Sequence, residues 1–202
     1  MNIIEILGLG LGAAWTSGIN LYATVAALGL LQHYGLVGRL PGGLDALDNW
    51  WIIGVALALY VVEFVADKVP YVDTAWDTVH TFIRVPAGAI IALSATADLD
   101  PSVRIIALLL GGGLALSTHG TKATLRATAN VSPEPFSNIA LSLVEDVFAV
   151  GGIVLAVLHP LAILAVIFIF LLILAWILPK VVRRLRRMAT AARNYLRRQP
   201  ST

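Results

Sequence analysis

Apolar runs alternate with short polar connections along most of the chain. Six apolar segments stand out, at residues 3–31, 50–69, 81–97, 103–129, 136–158 and 161–178. A bilayer crossing takes about 20 apolar residues, so the pattern predicts an all-α, polytopic membrane protein of six segments. The first segment carries a polar interruption near residues 16–20, and the fourth carries one near 117–120. Both read as broken helices. Segment three contains Pro86 and is preceded by an amphipathic turn with Trp76 and Phe82, the make-up of an interface anchor with Asp73 as N-cap.

The two interruptions suggest a repeat. "GAAWTSGINLYAT" at 12–24 aligns with "LALSTHGTKATLR" at 114–126, placing Gly18 on Gly120. "LYVVEFVAD" at 59–67 then aligns with "LSLVEDVFA" at 141–149, placing Glu63 on Glu145. Repeat one covers about residues 3–98 and repeat two about 103–179, within a single transmembrane domain at 1–179. Three crossings per repeat would invert the second copy, the arrangement of many secondary transporters. Two re-entrant hairpins would make the repeats parallel instead.

Composition supports a membrane protein: 58% of residues are hydrophobic and 13% charged, against about 25% charged in soluble domains. Cysteine is absent, which excludes thiol chemistry and Cys-ligated zinc. The net charge of +2 hides an asymmetry. Eight of the fourteen basic residues lie between Lys180 and Arg198, a stretch without acids, leaving six basic against twelve acidic residues elsewhere. The basic tail at 180–202 is expected on the cytoplasmic side, near anionic headgroups. An even number of crossings puts the N-terminus there too. The tail has no base-reading motif, so no nucleic-acid partner is expected.

Polar residues inside the apolar segments are the candidate chemistry. Lys122 and Arg126 share a helical face, beside Thr121 and Thr124. A central cation costs at least about 2.5–3.5 kcal/mol on insertion scales, so these two require a partner, a wet cavity or the interface. A helix restarting at Gly120 would offer free N–H groups to an anion, and Gly18, Asn20 and Tyr22 would form the opposite wall. Glu63, Asp67, Glu145 and Asp146 are the candidate proton-coupling or charge-balancing groups. The competing readings are an internal salt-bridge network and cations that snorkel to the cytoplasmic interface. His33, His80, His119 and His159 lack ligand spacing, so neither metal nor cofactor is expected. The serines lack a nucleophile-elbow or triad context, so an enzyme is not expected.

"SGINLYAT", "YVVEFVADKVPYVDTAWD" and "RVPAGA" resemble a family of small bacterial membrane proteins labelled domain of unknown function 4126, over residues from about 10 to 178. The resemblance implies a polytopic inner-membrane protein. "HTFIRVPAG" is also similar to the Arg- and Pro-containing motif of the DedA family, whose members resemble carriers of lipid or polyprenyl phosphate. It would make Arg84 a lipid-headgroup contact, although that family's acidic Pro-Gly-Glu motif is absent. Together these readings point to a secondary transporter or flippase for a small anion or phosphorylated lipid, with proton coupling and a homodimer as further expectations. The rival is a non-transporting scaffold or assembly protein.

Overall fold

The computed structural model describes residues 1–69, 72–129 and 135–197. Seven α-helices follow in order: α1 Ile3–Ile19, α2 Leu21–His33, α3 Trp50–Ala66, α4 Val72–Ala95, α5 Pro101–Ala129, α6 Pro135–Leu158 and α7 Pro160–Arg197. A 3-10 helix, Gly42–Asp48, precedes α3. No strand occurs among the described residues. Two units are distinguished, Met1–Leu164 and Ala165–Thr202, the described residues of the second belonging to α7.

Local chemistry sets the helix ends. Asn2 and Glu5 cap α1 reciprocally: the Asn2 side chain accepts from Glu5 N at 3.0 Å, and Glu5 Oε2 accepts from Asn2 N at 2.8 Å. Helices α5, α6 and α7 each open on proline, where the missing N–H is no loss and φ suits a helix. The α4 helix begins well before the apolar stretch and runs through Pro86. Asp73 therefore lies inside its first turn rather than capping it.

The expected break in the first segment is real and sits at Asn20. Its extended backbone (φ −146°, ψ 104°) ends α1, and its side chain accepts from Ala23 N at 2.9 Å to start α2. The expected break in the fourth segment is absent, because α5 is continuous through Ser117–Gly120. The hydroxyls there do not interrupt the helix but fold back on it. Ser117 donates to Leu114 O at 2.8 Å, and Thr121 to Ser117 O at 2.8 Å. There is thus no half-helix N-terminus at Gly120.

Within the first unit, α1 is the centre. Every residue from Leu9 to Ile19 is buried except Leu11, and α1 packs against α4, α5 and α6. Small residues allow the close approach. A Cβ on Gly18 would lie 1.9 Å from Thr118 Oγ1 and 2.4 Å from Ala115 O of α5. A Cβ on Gly111 would lie 2.5 Å from Ala92 Cβ of α4.

Burial is inverted relative to a soluble protein. Arg84 and Glu63 are 0% exposed, whereas Phe82 is 80% and Trp51 84% exposed. Such a surface suits lipid, not water. Four helices, α4 to α7, contain stretches long and apolar enough to cross a membrane, and a fifth span results if the 3-10 helix and α3, bent by 78°, count as one. The chain is an all-helical, multi-pass membrane protein.

Candidate functional site

The inward faces of four helices supply polar residues at helical spacing. Helix α3 contributes Glu63, followed one turn on by its C-cap Asp67. Helix α4 contributes Asp73, Asp77, His80 and Arg84, all buried. Helix α5 contributes Thr118, His119, Lys122 and Arg126, all buried. Helix α6 contributes Asn138, Ser142 and Glu145. In α4 and α5, small and apolar residues continue the same stripe, so one helix end packs tightly while the other holds charge.

Lys122 stands at the centre. Its Nζ lies 3.0 Å from Asp67 Oδ2, 3.4 Å from Glu63 Oε1, 3.5 Å from Glu145 Oε2 and 3.9 Å from Asp77 Oδ1. Arg84 Nη2 donates to Glu63 Oε1 at 2.5 Å. Arg126 grips Glu145 with two donors: Nε reaches Oε1 at 3.1 Å and Nη2 reaches Oε2. Its Nη2 also reaches Asp67 Oδ2 at 3.1 Å, and its Nη1 donates to the Asp67 carbonyl. Asp73 Oδ2 lies 3.7 Å from Arg126 Nη1.

The break at Asn20 feeds this cluster. Ending α1 leaves carbonyls without helical donors, and cations take them. Arg84 Nη1 donates to Gly18 O at 3.3 Å and Ile19 O at 3.1 Å, and Lys122 Nζ donates to Ile19 O at 3.3 Å. The break therefore presents a negative helix end to cations. Sequence reasoning expected the opposite, a positive helix end facing an anion, and placed it at Gly120.

The histidines are fixed by their neighbours. His80 Nδ1 lies 2.8 Å from Trp76 O, so it carries the proton and donates; Nε2 then accepts from Tyr22 OH at 3.1 Å. His119 Nδ1 lies 3.1 Å from Arg84 Nη1, which can only donate. Its proton is therefore on Nε2, 3.1 Å from Asp77 O. The His119 ring is therefore neutral in this arrangement.

Charge does not balance. Among the described residues, five buried carboxylates, Glu63, Asp67, Asp73, Asp77 and Glu145, face three buried cations, Arg84, Lys122 and Arg126. Asp77 Oδ1 lies 3.5 Å from Arg84 Nη1, but neither Asp77 oxygen accepts a hydrogen bond, nor do Glu63 Oε2, Asp67 Oδ1 or the partly buried Asp146's Oδ2. No group of three or more His, Asp or Glu suits a metal ion among the described residues.

Most of the expected site residues meet here. Lys122, Arg126, Glu63, Asp67 and Glu145 converge, and Asn20 Nδ2 donates to Asp146 Oδ1 at 3.1 Å at the edge. Gly18 lies behind, packed on Thr118. Four expected residues, Gly120, Thr121, Thr124 and Tyr22, lie outside the cluster. Gly120 and Thr124 are exposed and Thr121 half-buried, because they flank the stripe that carries Lys122. Arg84, expected at lipid headgroups, is instead fully buried. Tyr22 lines an apolar groove of about 540 Å³ between α2, α3 and α4, with Val55, Leu59, Ala87 and Ile90. Asp77 was missed as a site residue. Its signal was the spacing Asp73, Asp77, His80, Arg84, one face of one helix.

A multi-pass helical membrane protein with a buried, acid-rich ion cluster is thus the class that fold and site define. The family model named Domain of unknown function (DUF4126) matches residues 7–180, and the chain belongs to that family. No curated protein and no solved structure matches it.

Proposed function

We propose that the chain is a proton-coupled secondary transporter or flippase for a small anion or phosphorylated lipid. One observation carries this reading: five buried carboxylates against three buried cations. Uncompensated charge in a low-dielectric interior is costly, so the carboxylate excess is relieved by proton binding. Asp77, whose oxygens accept no hydrogen bond although Arg84 Nη1 and Lys122 Nζ lie 3.5 and 3.9 Å from Oδ1, is the first candidate to carry a proton. Intramembrane acids that bind and release protons are the usual parts of a proton relay.

The cations are held by carboxylates, which sets the order of events. Protonating Glu145 or Asp67 removes the charge that holds Arg126 and Lys122. Their N–H groups then turn to an incoming anion. When the anion leaves, the cations return to the carboxylates and the protons depart. Proton and anion thus move together.

The reading includes six segments in two inverted halves, with the basic tail on the cytoplasmic side. Reciprocal pairing supports the repeat: Asn20 of the first half reaches Asp146 of the second, and Lys122 of the second half, at the matching position, reaches Glu63 and Asp67 of the first. A second reading, a non-transporting scaffold or assembly protein, is favoured by the pairing of every buried cation with a carboxylate.

The natural absence of cysteine permits a direct test. Single cysteines replace Ala123 and Ala23, and a membrane-impermeant thiol reagent is applied from each side. Labelling from both sides that changes with pH supports a carrier. Absence of labelling from either side leaves the scaffold.

A further inference from the structure

The basic residues of α7 form a surface that the buried cluster does not use. Lys180, Arg183, Arg184 and Arg187 are spaced i, i+3, i+4 and i+7, so they share one helical face. All four are exposed, and they surround a hollow of about 340 Å³. No acid lies between residues 180 and 198 to neutralise them. Like charges at these spacings repel, so an anion seated among them would be favourable. Two contacts fix its inner edge: Lys180 Nζ sits 2.8 Å from the centre of the Trp176 ring, and Arg183 Nε donates to Pro179 O at 3.2 Å.

We propose that this face is a binding site for the phosphate headgroups of anionic lipids. Position identifies the ligand. The candidate membrane span of α7 is Pro160–Arg184, and its apolar run ends at Leu178; Trp176 near that end is 67% exposed, as befits an interfacial aromatic. From Lys180 to Arg187 the helix rises about 10 Å, close to the depth of a headgroup layer, about 5–8 Å per leaflet. A topogenic signal depends on the number of positive charges, not on the face they occupy. Confinement of four cations to one arc is therefore an additional feature. Arg186, Arg193 and Arg197 fall on another face by their spacing.

The test compares two triple variants of the full-length protein with equal charge loss. One is Arg183→Gln/Arg184→Gln/Arg187→Gln, and the other is Arg186→Gln/Arg193→Gln/Arg197→Gln. Binding of short-chain phosphatidylglycerol and phosphatidylcholine is measured on the detergent-solubilised protein by native mass spectrometry. The wild type is expected to prefer phosphatidylglycerol. The first variant is expected to weaken that binding at least about tenfold, and the second less than about threefold. Equal loss in both variants, or no preference in the wild type, overturns the site. Displacement of phosphatidylglycerol by an RNA oligonucleotide at equal concentration also overturns it, in favour of a nucleic-acid surface.

Discussion

Replacing Arg84 with methionine tests the charge asymmetry most sharply. The Arg84 side chain is 0% exposed and bonds Glu63 Oε1 at 2.5 Å and the carbonyls of Gly18 and Ile19. Its loss leaves five buried carboxylates against two cations. Breaking a buried pair from one side costs about 3–5 kcal/mol. Glu63→Gln breaks the same pair from the other side, but it removes charge from an acid-rich site and keeps an oxygen to accept from Arg84. Its cost is that of weakening one hydrogen bond, about 1–2 kcal/mol. The assay is thermal unfolding in detergent followed by circular dichroism. At about 2–4 °C per kcal/mol for a chain of this size, Arg84→Met lowers Tm by about 6–20 °C, and Glu63→Gln by about 2–8 °C. Equal losses, or an Arg84→Met shift below about 2 °C, would refute the reasoning.

Other substitutions probe the packing, the break at Asn20 and the continuity of α5. Gly18→Ala forces a methyl against Thr118 Oγ1 and the Ala115 carbonyl, and it is expected to cost about 1–3 kcal/mol by the same unfolding assay. Asn20→Ala removes the cap of α2 and the donor to Asp146, a loss of about 1–2 kcal/mol in denaturant titration. Gly120→Ala tests the continuous α5: with open space around the new Cβ, it is expected to raise stability by about 0.5–1 kcal/mol. A loss there would favour a broken helix.

The apolar pattern made the membrane class legible, because bilayer length and hydropathy are properties of a single segment. The convergence of Lys122 and Arg126 on Glu63, Asp67 and Glu145 was legible for a related reason: buried charges must find opposite charges. The break at Asn20 was also visible, since a capping side chain follows Gly18. The supposed break at Gly120 failed because Ser117, Thr118 and Thr121 look polar in sequence yet satisfy their hydroxyls within the helix. Asp77 was missed and Arg84 misplaced because the start of α4 looked like an interfacial turn. Only packing against α1 and α5 reveals that its charged face is directed inward. The reversed polarity at Asn20 depended on which helix end faces Lys122, a tertiary fact with no local signature.

The central claim is that the excess buried carboxylates are neutralised by protons, beginning with Asp77. Infrared spectroscopy reads this directly, through the carbonyl band of a protonated carboxyl that is absent from a carboxylate. The purified protein in lipid is expected to show this band at neutral pH, and Asp77→Asn is expected to reduce it. A wild-type spectrum with no protonated carboxyl at neutral pH, or a band of unchanged intensity in Asp77→Asn, would contradict the account.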